Sequence, residues 1–328
     1  MSIKKVLVYA EITNKKVNPV YFELISKAKK IFADNEVSYA CVIAGSSIGD
    51  MTEEVKCSGV DTIYAIDDNR LEIYNPEYYC AALEEAIKQF DPDLFLIGAT
   101  LAGEEIAPTL GLRFKTGVAA HCMDLILKED GSLAQMVPAF GGKVIGEIFI
   151  PNTRPQIASV KPGIFVEEKI EKKECEIIKI DKKCLDDVVS RIKAISINKK
   201  ESTKMPIEKA PVIICGGYGT GSKENWERLE KLASLLSGAT GCTRPVIDTG
   251  WVEDESTMIG TSGKSVRPKL YIGVGISGAT HHVCGMKDAE VIISINNDAD
   301  AEIFNVSDYA VIGDGSKIID KLIELIEN

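Results

Sequence analysis

The sequence predicts an α/β protein made of two doubly wound (Rossmann-like) parallel-sheet domains, the first with an antiparallel extension. The chain has 328 residues, which is more than one average domain holds. In both halves short apolar runs alternate with helical stretches, the pattern of a parallel sheet covered on both faces. A charge-rich segment lies between the halves, so we predict domains at residues 1–203 and 204–328.

The elements of the first domain follow from hydrophobic periodicity. Continuous apolar runs predict buried strands at residues 6–10, 37–44, 62–66 and 94–98. Apolar residues at helical spacing predict helices at residues 19–32, 50–57, 76–90 and 103–112. Over residues 118–166, glycines and prolines separate short extended pieces, which predicts antiparallel strands that close this domain.

The second domain repeats the alternation after a charged linker near residues 199–209. Its predicted strands lie at residues 211–215, 270–274, 291–295 and 309–312. Its predicted helices lie at residues 223–236 and 317–326. The loops at 241–245 and 259–264 are polar and fall outside these helical stretches.

Composition excludes several classes of function. Lys and Arg number 38 against 49 Asp and Glu, and the net charge of −11 disfavours non-specific binding of nucleic acid. No apolar run reaches the length of a membrane span, and the first residues show no cleavage site, so we expect a cytoplasmic protein. The nine cysteines contain no Cys-x-x-Cys pair, so we expect reduced thiols and no zinc or iron–sulfur site.

Two glycine-rich turns are the strongest local signals. Gly-Gly-Tyr-Gly-Thr-Gly at 216–221 follows a strand and precedes a helix, where backbone amides can bind phosphate oxygens. Its spacing fits neither the dinucleotide fingerprint nor a P-loop. Gly-Ile-Ser-Gly-Ala-Thr-His-His at 275–282 also follows a strand, and Ser277 and Thr280 add hydroxyl donors there. His281 and His282 lie in this turn, so we expect them to contact a ligand.

Polar residues that follow the other strands complete the candidate site. Asn296 and Asp314 each come at the end of a predicted strand, where ligands bind in open α/β sheets. Taken singly, each is also an ordinary turn residue. Arg244 could stabilise an anionic ring by its charge and by planar stacking, although a surface salt bridge is the simpler alternative.

An ordered set of motifs runs through the second half. In chain order they are Gly-Gly-Tyr-Gly at 216–219, Gly-Cys-Thr-Arg at 241–244, Gly-Thr-Ser-Gly-Lys at 260–264, Gly-Val-Gly-Ile-Ser-Gly-Ala at 273–279, Gly-Met-Lys-Asp at 285–288 and Ile-Asn-Asn-Asp at 295–298. Together they resemble the alpha subunit of electron transfer flavoprotein. The first half is similar to that family in layout and length more than in motif.

The resemblance implies a non-covalent FAD held mainly by the second domain. Thr243 would lie near the N5 edge of the isoalloxazine, Arg244 against the ring, and His282 near the flavin C2 carbonyl. A cation and an imidazole at that edge would stabilise the anionic reduced ring. The residues implied along the flavin and ribityl chain are Ile259, Gly260, Thr261 and Ser262. Those implied around the ribityl and pyrophosphate are Ser277, Gly278, Ala279, Thr280, His281 and His282, with Asn296 and Asp314 at the adenosine end.

Three residues depart from the family pattern. Tyr218 stands where an arginine is usual, so one charge directed at the phosphates is missing. Thr243 replaces the commoner serine and keeps the hydroxyl, and His281 replaces a commoner glutamine.

The resemblance also implies partners. The first domain would pack against an electron transfer flavoprotein beta subunit, whose nucleotide is AMP or a second FAD. The heterodimer would carry electrons for an acyl-CoA dehydrogenase-type flavoenzyme, and forms of this family serve NADH-dependent, electron-bifurcating systems of anaerobes. Two alternatives stay open: a nicotinamide-dependent dehydrogenase or deacylase of related fold with His281 or His282 as acid/base, and a non-redox nucleotide-sensing module.

Overall fold

A computed structural model describes residues 3–139, 144–168, 174–195 and 205–327. The chain separates into two compact units, Met1–Ile197 and Asn198–Asn328. The predicted domain boundary, between residues 203 and 204, lies outside the described residues, as does most of the predicted linker. That boundary therefore stays a prediction.

The first unit contains a seven-stranded parallel sheet and a smaller antiparallel one. Its strands are β1 (Lys5–Ala10), β2 (Ile12–Thr13), β3 (Lys16–Val17), β4 (Ser38–Gly45), β5 (Thr62–Asp67), β6 (Leu94–Gly98), β7 (Val118–Cys122), β8 (Asp124–Leu127), β9 (Leu133–Ala139), β10 (Val144–Ile148), β11 (Gln156–Val160) and β12 (Glu176–Lys179). Its helices are α1 (Val20–Ile31), α2 (Gly49–Val55), α3 (Pro76–Phe90) and α4 (Leu101–Arg113). The large sheet has the strand order β12-β5-β4-β1-β6-β11-β7.

Alternate residues of each central strand enter cores on opposite faces of this sheet. On β1, Val6 and Val8 pack with α1, whereas Leu7 and Tyr9 pack with α3 and α4. Because side chains alternate along a strand, a strand buried on both faces has to be apolar throughout. This requirement explains the continuous apolar runs from which the strands were predicted.

Local signals also set the helix ends. Helix α3 begins at Pro76, as predicted, and the Asn75 side chain accepts a hydrogen bond from the Glu77 amide at 3.0 Å. Proline at the first helical position and asparagine before it are both favoured at a helix start.

The prediction for residues 118–166 is only partly right. Strands β8, β9 and β10 do form an antiparallel sheet. Strands β7 and β11 instead join the parallel sheet, where Ile157 pairs with both Phe95 and Val118. The five residues of β11 are all buried, and the nearby prolines bound the strand rather than interrupt it. The edge strand β12 was missed because it has only four residues, most of them exposed, and lies within a charge-rich segment.

The second unit is a five-stranded parallel sheet. Its strands are β13 (Val212–Gly216), β14 (Ala239–Cys242), β15 (Leu270–Val274), β16 (Ile292–Asn296) and β17 (Tyr309–Ile312). Its helices are α5 (Lys223–Leu235), α6 (Arg244–Asp248), α7 (Thr280–Val283) and α8 (Gly315–Glu327). The strand order β14-β13-β15-β16-β17 reverses direction between β13 and β15. At such a reversal, connections leave on opposite faces and open a crevice at the carboxyl ends of the strands.

Helices α5 and α8 cover one face of this sheet. Trp226 and Leu229 of α5 pack with Ile319 and Ile323 of α8 against Ile214. Trp226 and Leu229 thus form part of the apolar side of α5, at helical spacing. The opposite face buries Tyr271 in a separate core.

None of the nine cysteines, all of which lie within the described residues, forms a disulfide, and five of them are buried. Burial raises the pKa of the Cys122 thiol to about 12, so the thiol stays protonated at neutral pH. In the part of the chain described, none of the helices is both long enough and apolar enough to traverse a bilayer.

Candidate functional site

A cavity of about 820 Å³ lies at the carboxyl ends of the strands of the second unit. The turns that follow four strands line it: residues 217–219 after β13, 243–245 after β14, 275–279 after β15 and 296–302 after β16. It therefore lies where the strand order reverses, the usual position of a ligand site in an open α/β sheet. Its volume is in the range of small-molecule and cofactor sites.

The turns after β13 and β15 touch backbone to backbone. The amide of Gly219 donates to the carbonyl of Gly275 at 2.9 Å, and the amide of Gly217 donates to that of Val274 at 2.9 Å. A Cβ atom on Gly217 would lie 2.2 Å from the Gly275 oxygen. Gly275 has φ +63°, and a Cβ there would lie 2.4 Å from the carbonyl carbon of Gly219. Any side chain at Gly217 or Gly275 would push the turns apart.

These contacts change what the first glycine turn can do. The amides of Gly217, Gly219, Thr220 and Gly221 all donate to carbonyl groups of the protein. They are not free to bind phosphate, so that expectation is wrong for these four groups. The second turn differs, because the described residues offer no hydrogen-bond partner to the amides of residues 277–281.

Thr243 and Arg244 lie at the start of a short helix rather than in the predicted loop. Strand β14 ends at Cys242, and α6 begins at Arg244. Thr243 is buried at the N-cap position, yet its hydroxyl makes no capping hydrogen bond to α6. Arg244 lies at the rim of the cavity, where its Nε donates to Asp248 Oδ1 at 2.8 Å, and this contact raises the pKa of the guanidinium.

The loop at 259–262 is tied to the histidine turn. The Thr261 amide donates to the His281 carbonyl at 2.8 Å, and the Thr261 hydroxyl lies 3.2 Å from His281 Nδ1. The Ile259 amide donates to the Cys242 carbonyl at 2.9 Å. The loop therefore connects the turn after β14 with the turn after β15.

His282 is a buried, uncharged residue of the cavity wall. The residue is only 5% exposed. Its Nδ1 lies 3.0 Å from the Ile259 carbonyl, and its Nε2 lies 2.7 Å from the Tyr271 hydroxyl. Burial lowers the pKa of His282 to about 4. The expected imidazole is present, but both of its nitrogens are bonded within the unit and it carries no charge at neutral pH.

Tyr218 projects from the first turn and stacks on Trp251. The two ring centroids lie 5.7 Å apart with an interplanar angle of 3°. Tyr218 remains 63% exposed while it lines the cavity. An aromatic pair therefore occupies the position at which the sequence lacks a cation.

Carboxylates line the end of the cavity that follows β16. Asn296 is buried, its Nδ2 donates to the Ile276 carbonyl at 2.9 Å, and its Oδ1 accepts from the Asp298 amide at 3.0 Å. Asp298, Asp300 and Glu302 also line the cavity, whereas Arg244 is the one Lys or Arg among its lining residues. Negative side chains thus outnumber positive ones around the space.

The structure brings most of the predicted site residues to one cavity. Those that line it are Tyr218, Thr243, Arg244, Ile259, Gly260, Thr261, Ser262, Ser277, Ala279, His281, His282 and Asn296. Gly278 and Thr280 lie in the same turn but do not line the space. Asp314 is exposed, and its carboxylate accepts from the Ser316 amide and hydroxyl at 3.0 and 2.7 Å beside α8.

Sequence reasoning missed other lining residues. They are Pro245, Met258, Asp298, Asp300, Ala301 and Glu302, whereas Gly217, Gly219, Gly275 and Ile276 belong to the two predicted glycine-rich turns. The acidic members follow β16 directly, so their position after a strand was a usable signal.

Comparison with known proteins decides the family. Residues 6–184 match the model described as "Electron transfer flavoprotein domain", and residues 206–287 match "Electron transfer flavoprotein FAD-binding domain". The chain belongs to the electron transfer flavoprotein family.

Several relatives are named as alpha subunits of this family. The chain is 35% identical to "Electron transfer flavoprotein subunit alpha" of Thermoanaerobacterium thermosaccharolyticum, over 99% of this chain and 98% of that one. It is also 35% identical to the same subunit of Clostridium acetobutylicum, over 99% of this chain and 97% of that one. It is 34% identical to "Lactate dehydrogenase (NAD(+),ferredoxin) subunit LctC" of Acetobacterium woodii, over 98% of this chain and 77% of that one.

This electron transfer flavoprotein alpha subunit thus has FAD as its cofactor, and the cavity fits an FAD. The space has a volume of about 820 Å³ and is lined by the turns of four strands. The amides of residues 277–281 and the uncapped hydroxyl of Thr243 can donate to a ligand, and Arg244 supplies a cation at the rim. The predicted cofactor is confirmed by the family. The role of each residue toward it stays a prediction.

Replacing Gly275 should disrupt the contact between the two glycine turns. Because a Cβ would strike the backbone of Gly219, Gly275→Ala should lower the free energy of unfolding by about 1–3 kcal/mol more than Gly221→Ala does. Gly221 is the matched control, since it also has positive φ but open space around a Cβ. Urea unfolding measures the difference, and equal losses in the two variants would contradict the proposed contact.

Restoring a cation at position 218 should tighten FAD binding. The cavity is lined by one arginine and three carboxylates. If the side chain faces the pyrophosphate, Tyr218→Arg should make the free energy of FAD binding more favourable by about 1 kcal/mol, which lowers the Kd roughly fivefold. Tyr218→Gln is the control for loss of the ring. FAD retained through dialysis measures the effect, and equal retention in the Arg and Gln variants would show that position 218 faces solvent.

Proposed function

We propose that this chain pairs with an electron transfer flavoprotein beta subunit as a heterodimer and carries electrons on a non-covalent FAD. Electrons would pass between an acyl-CoA dehydrogenase-type flavoenzyme and a second redox partner. The observation that carries the proposal is the convergence of four strand-end turns on one large cavity within the unit that matches the FAD-binding model. FAD, when bound, supplies both one-electron and two-electron redox chemistry.

The chain's own residues would bind and orient this cofactor. Thr243 is buried and its hydroxyl makes no capping bond, which supports a donor role near the flavin ring. Arg244 is held at the rim by Asp248 and would place its charge beside the ring. The amides of residues 277–281 would donate to the ribityl and pyrophosphate.

Ile259, Gly260, Thr261 and Ser262 would form the wall along the flavin and ribityl chain, since their loop lines the cavity and is bonded to His281. Asn296, with its amide bonded across to Ile276, would position the adenosine end. Asp314 would reach the adenosine from outside the observed lining.

Exposed apolar side chains support a beta-subunit contact on the first unit. Val144, Ile145, Ile148 and Phe149 are each 39–54% exposed on or beside β10 of the antiparallel sheet. A group of exposed aliphatic and aromatic side chains is typical of a surface that a partner covers. We therefore assign this sheet to the interface with the beta subunit.

We further propose an NADH-dependent electron-bifurcating system of an anaerobe as the setting. The relative from Acetobacterium woodii is named as a subunit of a lactate dehydrogenase of NAD(+) and ferredoxin, which supports a system that couples two redox carriers. The nine free cysteines suit a reducing cytoplasm.

The alternative enzyme readings are weaker. A general acid or base needs a ring nitrogen within reach of the substrate. Both nitrogens of His282 are bonded, one to Tyr271 and the other to Ile259, so His282 offers none to a substrate. His281 has Nδ1 bonded to Thr261, which leaves only its Nε2 for acid or base chemistry. No specific observation favours the nucleotide-sensing module.

The proposal is tested by purifying the chain with its co-expressed beta subunit. We expect a flavin absorbance spectrum, about one FAD per alpha subunit, and reduction of that flavin by a partner flavoenzyme with its substrate or by NADH. Adenylate quantitation then shows whether the beta subunit holds AMP or a second FAD. Retained AMP or NAD without flavin, or turnover of small substrates without a partner, would contradict the proposal.

Removing Arg244 should lower the flavin reduction potential. The guanidinium is largely exposed and screened by solvent, so the loss of its charge should lower the potential only modestly. Arg244→Ala should show this decrease in a redox titration, whereas Arg244→Lys should retain most of the potential. An unchanged midpoint in Arg244→Ala would remove Arg244 from the ring contact.

A further inference from the structure

We infer that Tyr271 is a positioning residue, whose hydroxyl occupies the last free ring nitrogen of His282. His282 would then form part of the cavity wall as one neutral tautomer, with its proton on Nδ1 and no nitrogen left for a ligand. The consequence for FAD rests on the proposed function, whereas the arrangement of Tyr271 and His282 is independent of it.

The tautomer follows from the two partners of the ring. A backbone carbonyl can only accept, so the 3.0 Å contact between Nδ1 and the Ile259 oxygen requires the proton on Nδ1. In a neutral imidazole, Nε2 then has only a lone pair. The Tyr271 hydroxyl, 2.7 Å away, must therefore be the donor in this pair.

The surroundings keep both partners neutral. Tyr271 is fully buried on β15, and burial holds the pKa of its phenol well above the usual range. The Cys215 thiol on β13 lies 4.0 Å from Nε2, and burial raises its pKa as well. On the remaining sides, Ile259 contributes a carbonyl, and the ring of His281 is bonded to Thr261. None of these contacts brings a formal charge against the His282 ring.

The arrangement limits what His282 can do for a bound ring. With both nitrogens engaged, it can neither donate to a carbonyl nor supply a charge unless one of these bonds breaks. Tyr271→Phe deletes one oxygen and leaves Nε2 with only the weak contact to the Cys215 thiol at 4.0 Å, so the ring is held less firmly in its orientation and tautomer. His282 would then interact with a bound flavin differently from the native residue.

Nitrogen NMR of the full chain tests the tautomer without any cofactor. The chain has three histidines, at positions 121, 281 and 282, so ¹⁵N-histidine labelling gives a simple spectrum, and His281→Gln completes the assignment. At pH 7 we expect His282 to show a protonated Nδ1 and a hydrogen-bonded, unprotonated Nε2. A protonated Nε2, or an imidazolium, would overturn the inference. This measurement needs no variant of Tyr271 that might fail to fold.

Tyr271→Phe, compared with Tyr21→Phe, tests the hydroxyl. Tyr21 is an equally buried tyrosine of the first unit, and its hydroxyl is bonded to Ser58 at 2.6 Å. Only Tyr271→Phe should move the Nε2 resonance of His282, toward the position of an unbonded nitrogen. Identical His282 spectra in the two variants would overturn the inference.

Redox titration of the FAD-loaded heterodimer tests the consequence. Loss of one hydrogen bond should change the equilibrium between oxidised and reduced flavin about two- to tenfold in Tyr271→Phe, with no change in Tyr21→Phe. The change should vanish when His282→Gln is already present, because Tyr271 acts through His282. The inferred effect of Tyr271 on the flavin would be overturned if Tyr271→Phe left the flavin equilibrium unchanged. It would also be overturned if Tyr271→Phe still changed that equilibrium in a chain that carries His282→Gln. A chain that binds no FAD but shows the expected NMR spectrum would instead count against the proposed function.

Discussion

The cavity depends on the contact between the backbone of Gly275 and the backbones of Gly217 and Gly219. Two strands on either side of the reversal in strand order would otherwise send their loops apart. Here the Gly219 amide is bonded to the Gly275 carbonyl, and neither turn has a side chain in between. Hydrogen bonds connect the other two turns to this contact. The Thr243 amide after β14 donates to the Gly216 carbonyl, and the Asn296 side-chain amide at the end of β16 donates to the Ile276 carbonyl.

Much of the fold could be predicted because the signals are local. Helix α3 and strands β6, β15 and β17 have the predicted bounds, since their apolar periods, proline and flanking polar residues all lie within the segment. The position of β11 between β6 and β7 could not be predicted, because pairing depends on partners distant in sequence. Strand β14 was missed for a related reason: its Ala-Thr-Gly-Cys sequence has little strand character, and its pairing with β13 supplies the order.

The candidate site was predictable as a set of residues but not as a set of bonds. The motifs placed Thr243, His282 and Asn296 at strand ends, and the structure brings all three to one cavity. What each side chain does there depends on distant partners. The sequence could not indicate that Tyr271 and Ile259 bind both nitrogens of His282, nor that the amides of the first glycine turn are consumed within the fold.

The excess of carboxylates at the cavity has a kinetic consequence. A dianionic pyrophosphate approaching a chain of net charge −11, past Asp298, Asp300 and Glu302, gains no long-range attraction. Loading should then be slower at low ionic strength and speed up as salt screens the repulsion. Once bound, the cofactor would be held by short-range hydrogen bonds, which salt weakens little. We therefore expect the folded subunit to take up FAD slowly and to retain it once it is bound.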